Sequence, residues 1–170
     1  MNEILRRWNE ASRAEAVREI MACCGATVWG ETLAQRRPFV DETSLLAASD
    51  EVWLGLPPTD WLEGFHSHPR IGESSAKEPL TAQSASWSRQ EQSKVGSSDE
   101  EVKAALSAAN RAYEEKFGHI FIVCATGKSA AEILAILRRR MQNDKGAEIR
   151  EAAEEQRQIM RLRMKTWLGI

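Results

Sequence analysis

The chain is short of several things, and each shortage excludes a class of protein. It has three cysteines, Cys23, Cys24 and Cys124, two of them adjacent and none in a C-x-x-C pair. That excludes a disulfide framework and a zinc knuckle, and leaves small core residues in a reducing compartment. The longest apolar run is Ile120 to Ala125, far too short to span a bilayer. The opening MNEILRRWNE has no apolar core, so no secretory leader is expected. Neither sign of charge dominates: 23 basic residues stand against 25 acidic ones, a formal charge of -2. Nothing in that balance calls for a nucleic acid or another polyanion. The run Arg138-Arg139-Arg140 falls near the end of a predicted helix, suits the macrodipole there, and reads as a solvated face. No G-x-S-x-G elbow is present. Thr126-Gly127-Lys128-Ser129 has the end of a phosphate-binding loop, but Ile122 stands where that loop needs glycine. A turn leading into a helix is the better reading. The expectation is a cytoplasmic protein with no membrane and no nucleic-acid partner.

What is present fits one soluble domain over residues 1–170, with an apolar fraction of 42% and a charged fraction of 28%. Helix punctuation recurs. Ser12 with Glu15, Ser98 with Glu101 and Ser129 with Glu132 each have the capping-box spacing. After the first, Ala16, Val17, Ile20, Met21 and Cys24 keep helical spacing, with Gly25 placed to end the helix. The second leads a stripe from Val102 to Phe117 closed by Gly118, and the third leads Ile133, Leu134, Leu137 and Met141. Trp29 to Arg36 and Ser44 to Leu54 predict two more helices, and Thr59 caps a single turn through Leu62. Ile120-Phe121-Ile122-Val123 is the exception, β-branched and aromatic with no second strand to pair with. The fold class predicted is all-α: a helical bundle with a short buried extended segment near 119–125. That segment's unpaired N–H groups need acceptors, and a bound ligand can supply them.

The last helix, from about Lys145 to Leu168, puts Gln156 and Arg163 on the same face as Ile149, Ala153, Ile159 and Met160. A buried guanidinium needs an anion. Either Arg163 snorkels at the edge of the stripe or pairs with an internal acid, or it meets an anionic ligand.

Polar chemistry concentrates between Gly64 and Val95. His66 and His68 alternate, so in an extended segment they share a face and can hold one metal. His66-Ser67-His68-Pro69 also opens the motif of JAMM-type zinc isopeptidases, but Ser75 and Glu78 come one residue early and the chain lacks that family's sheet. A metal-dependent hydrolase is therefore the second reading. A non-catalytic module binding a small anion is the third. Downstream, Ser88, Glu91 and Gln92 share a helix face. If Ser88 starts a helix, Glu91 only completes its cap; if the start is near Thr81 or Ser84, the cluster is free for chemistry.

His68-Pro69, Leu80-Thr81, Ser88-x-x-Glu91-Gln92 and Lys116-Phe117-Gly118 before an apolar run together resemble the OHCU decarboxylase family. Ile133-Leu134 with Arg138 to Asn143, and Leu162-Arg163-Met164, agree with it. The substrate of that family is 2-oxo-4-hydroxy-4-carboxy-5-ureidoimidazoline. The resemblance implies an all-helical bundle, often a homodimer, acting in urate breakdown after uricase and hydroxyisourate hydrolase. It implies release of CO2 to give (S)-allantoin without metal or organic cofactor. By the same resemblance His68 is the catalytic acid-base and Glu91 its partner. Pro69, Ser88, Arg89, Gln90, Gln92, the backbone of His119, Ile120, Phe121, Ile122 and Val123, and Arg163 are the implied substrate contacts. Two stretches depart from the family: Arg70-Ile71-Gly72 follows His68-Pro69 where many members have Asp-Leu, and Ser93-Lys94-Val95 replaces small and apolar residues.

Overall fold

The computed structural model describes residues 2–72, 81–96 and 99–170. Among these, every regular element is a helix: α1 (Glu3–Glu10), α2 (Arg13–Ile20), α3 (Thr27–Gln35), α4 (Glu42–Leu54), α5 (Pro58–His66), α6 (Ala82–Glu91), α7 (Ser93–Gly96), α8 (Glu100–Phe117), α9 (Ala130–Arg140) and α10 (Lys145–Leu168). The predicted all-α class holds, and residues 120–125 run extended between α8 and α9 with Phe121 to Ala125 buried.

Caps decide most boundaries. Ser12 and Ser129 close the expected capping boxes with Glu15 and Glu132. Ser98 lies outside the described residues, and α8 is capped instead by Asp99, whose side chain accepts from the Val102 N–H. Gly118 ends α8 at φ +80, a left-handed conformation natural to glycine, with its N–H on the Glu114 carbonyl. Helix α2 stops at Ile20, short of Gly25. Its end tightens into shorter bonds, Ala22 N–H to Glu19 and Cys23 N–H to Ile20, so the helix stops before its expected cap. Helix α5 is longer than the single turn expected from Thr59; Pro58 fits its first position, where no N–H is required. Helix α1 was not anticipated, and Asn2 caps it by accepting from the Ile4 and Leu5 N–H groups.

The chain divides into two compact units, Met1–Gly64 with Arg157–Ile170, and Phe65–Gln156. The first is built on tryptophan. Trp8 is fully buried, packs edge-on against Trp167 and stacks on Phe39, and donates its indole N–H to the Ala16 carbonyl. Trp29 and Trp53 are also fully buried. Arg157 and Arg161 of α10 both meet Asp50 of α4, at 3.0 and 2.6 Å. The second unit packs α8 and α9 around Leu106, Tyr113, Phe117, Ile133, Leu134 and Leu137, with Phe121, Val123 and Ala125 of the extended segment inside the same core.

Candidate active site

The start of α6 settles one alternative left open by the sequence. Thr81 is the N-cap, accepting from Ser84 and completing a capping box with it. Ser88 therefore lies inside the helix, Glu91 is its last residue and Gln92 its C-cap. Glu91 caps no helix start. Ser88 is buried, Glu91 and Gln92 are half-buried, and Arg89 and Gln90 are exposed.

His66 is the last residue of α5 and is exposed, while His68 is half-buried in the turn that follows. The His68 N–H donates back to the Phe65 carbonyl at 3.1 Å, so the backbone is turning here. The shared face expected of His66 and His68 required an extended segment, and that premise fails. Pro69 is buried.

Three elements of the second unit come together. The turn after His68 is tied to the end of α6 by the Gly72 N–H, which donates to Gln92 Oε1 at 2.9 Å. The ring of Phe65 lies 5.4 Å from that of His119, at the head of the extended segment. Burial pushes the Cys124 thiol pKa up; Lys128 opposes the shift, and the Glu155 and Glu91 carboxylates add to it. Their groups include His68, Ser88, Glu91, Gln92 and the backbone of 119–123. Arg163 is also buried, as its periodicity suggested, on the part of α10 that belongs to the first unit. That excludes a guanidinium snorkelling to solvent.

The extended segment is held by polar side chains at alternate carbonyls. His119 Nδ1 lies 2.9 Å from the Ile120 carbonyl, Arg140 Nη1 donates to Ile122 O at 2.7 Å, and Lys128 Nζ donates to Cys124 O at 2.7 Å. The Cys124 N–H donates to Glu155 Oε2 at 2.6 Å. Among the described residues, no acceptor meets the backbone N–H of Phe121, Ile122 or Val123. These donors sit on a buried strip, where a ligand oxygen is a strong acceptor.

Beneath the strip lies a cluster that sequence reasoning missed. Arg140 is completely buried, contrary to the solvated face expected for the arginine run; only Arg138 and Arg139 are exposed. Its guanidinium sits 4.6 Å from the Phe121 ring centroid. Nε and Nη2 donate to Glu148 Oε1 at 2.9 and 2.5 Å, and Glu148 is also completely buried. The Tyr113 hydroxyl donates to the same oxygen, and Asn143 Nδ2 donates to Glu148 Oε2 at 2.8 Å. A buried ion pair survives only when its hydrogen bonds are met in this way. Burial, then the bond to Glu148, push the Tyr113 hydroxyl well above its ordinary range, so it stays a donor. Arg140 falls seven residues after Ile133 and three after Leu137, on the apolar face of α9, and that periodicity was the available signal. His119, beside the cluster, is held below the ordinary imidazole value, first by burial.

The chain is thus an all-helical protein whose second unit gathers buried polar groups around one irregular segment. A family model described as OHCU decarboxylase matches residues 9–165, across both units, and the chain belongs to that family. It is 34% identical over 151 residues to the uric acid degradation bifunctional protein TTL of Arabidopsis thaliana, covering 86% of this chain and 45% of that one. It is 32% identical to the 2-oxo-4-hydroxy-4-carboxy-5-ureidoimidazoline decarboxylase of Amia calva, covering 82% of this chain and 76% of that one. The chain spans less than half the length of TTL and about three quarters of the Amia calva protein. Among solved structures it resembles OHCU decarboxylase crystallised in the presence of (S)-allantoin, with TM-score 0.77, 28% identity, and coverage of 90% of this chain and 99% of that one. An (S)-allantoin synthase shares the fold, with TM-score 0.69 at 16% identity over 96% of this chain and 53% of that one.

Proposed function

We propose that this chain decarboxylates 2-oxo-4-hydroxy-4-carboxy-5-ureidoimidazoline to (S)-allantoin and CO2, as one catalytic domain over residues 1–170. The observation that carries the reading is the cap at Thr81, which leaves Ser88, Glu91 and Gln92 at the far end of α6, tied to the turn that bears His68. Family membership supplies the substrate.

In the reaction the bond from the ring to the carboxylate breaks and CO2 departs. The electron pair enters the ring imine, whose nitrogen takes up a proton; the hydroxyl carbon becomes a carbonyl as its proton leaves, and a proton adds to the ureido-bearing carbon. The balance is one proton consumed for one CO2 released, and the ring itself stores the electrons. The protein's part is orientation, stabilisation of charge growing on the ring, and proton movement. His68 is the acid-base, since a free imidazole titrates at about 6.5 and can exchange a proton at neutral pH. Glu91 orients it or takes the hydroxyl proton. The N–H groups of Phe121 to Val123 serve ring or carboxylate oxygens. Gln92 has its Oε1 engaged by Gly72, so its amide N–H2 is the part that meets substrate, as a donor. Ser88, Pro69, Arg89 and Gln90 complete the contact set of this unit. Delivery of the final proton from one side gives one enantiomer.

The same reading includes a cytoplasmic homodimer. Its support is the family resemblance, three buried free thiols suited to a reducing compartment, and exposed large apolar residues among the described ones. These are Val28, Val40, Leu54, Leu162 and Ile170, all in the first unit. Among the described residues, no helix is long and apolar enough to cross a membrane. The function is tested by adding catalytic amounts of the protein to freshly made uricase and hydroxyisourate hydrolase product and measuring CO2. Release well above the spontaneous rate is the expected result; release at the spontaneous rate removes the activity.

A further inference from the structure

The three residues that follow His68-Pro69 are each fastened to a different side chain. Arg70 donates through Nε and Nη2 to the two oxygens of Glu114 on α8, at 2.5 and 2.9 Å. The Ile71 carbonyl accepts from Asn110 Nδ2 at 2.9 Å, one turn earlier on the same helix, and the Ile71 side chain is buried in the core. The Gly72 N–H donates to Gln92 Oε1, and Gly72 adopts φ +89, a conformation that suits glycine.

We propose that Arg70, Asn110 and Glu114, with Gln92, are positioning residues that clamp the turn and thereby fix the imidazole of His68 for decarboxylation. The proposal rests on the functional reading above. His68 stands in a turn just past the end of α5, so the fastening of the residues that follow it helps to set its place. Burying Ile71 would anchor the turn at one point only. Two-point pairing of a guanidinium with a carboxylate adds direction to that anchor. Asn110 is 4% exposed, and a polar amide so deeply buried is costly unless it hydrogen bonds; its donor goes to the turn. The Arg70–Glu114 pair is about three-quarters buried and so is less screened than a surface pair. Helix α8 takes on the work of aiming a catalytic group that it does not itself carry.

The test uses the full chain with Glu114→Gln, Asn110→Ala, and the exchange Arg70→Glu with Glu114→Arg. A small misplacement of a catalytic group lowers turnover more than binding. The clamp predicts that kcat for CO2 release falls by about tenfold or more in Glu114→Gln and Asn110→Ala, with KM within about twofold of the wild type. It also predicts that the exchange recovers most of the Glu114→Gln loss. The nitrogen NMR signals of the His68 ring provide a readout free of substrate: one sharp set in the wild type, broadened or doubled in Asn110→Ala. Unchanged kcat in both single variants, or unchanged His68 signals whatever kcat does, overturns the clamp. If the wild-type protein releases no CO2, the functional reading falls, and the His68 signals alone then decide whether the clamp exists.

Discussion

The two units of this protein differ in how deeply they bury an ion pair. In the first, Arg7 with Glu19, Arg36 with Glu51 and Arg161 with Asp50 keep contact with solvent, and even Arg157 with Asp50 is only partly covered. Its interior is filled by Trp8, Trp29 and Trp53, whose indole donors or neighbours meet backbone or serine oxygen, with Arg163 the charged exception. In the second, a complete ion pair, Arg140 with Glu148, is buried at zero exposure, and Asn110, Ser84 and Ser88 are buried as well. Burying charge seldom adds stability over an apolar core of the same size. Here the same guanidinium also donates to the Ile122 carbonyl and so ties the pair to the 119–125 backbone.

The comparison can be broken by substitution. The largest effect is expected at His68. His68→Ala should lower turnover by about a hundredfold to ten-thousandfold, the range for losing a general acid-base, with the thermal midpoint near that of the wild type. Near-normal turnover would remove His68 from the reaction. Next comes Glu148→Ala, which strands Arg140 in the core. It should cost about 3–5 kcal/mol in denaturant unfolding, whereas Glu51→Ala in the first unit should leave the midpoint unchanged. Equal effects at the two sites would erase the contrast.

The smallest effect is one of pH. Burial lowers the His119 pKa in the folded chain, so between that value and about 6.5 the unfolded chain binds a proton that the folded one does not. Its contribution is therefore constant above about pH 6.5 and erodes as pH falls below it. His119→Gln should flatten that part of the curve of unfolding free energy against pH; a slope identical to the wild type would show that His119 does not titrate as described.

Much of this was legible beforehand because it is local. Ser12, Ser129 and Gly118 mark helix ends by their own chemistry, and a β-branched run with no partner strand had to be an extended segment. The start of α6 is ambiguous in the sequence, since a start near Thr81 or Ser84 and a cap of Ser88 with Glu91 are both compatible with it, and only the formed helix chooses. The shared face expected of His66 and His68 fails because α5 runs on to His66 and a turn follows it. Arg140 was hidden by its neighbours: three successive arginines look solvated, although successive helix positions point about 100° apart and only the third faces inward. The clamp on residues 70–72 depends on α8, some forty positions away, and no local pattern announces it.

The most direct measurement is the handedness of the product. Freshly generated substrate treated with catalytic amounts of the full chain, and followed by circular dichroism, should build up the (S)-allantoin signal faster than spontaneous decay proceeds. Allantoin that appears without optical activity, at the rate seen in buffer alone, would contradict a site in which an imidazole delivers its proton from one side.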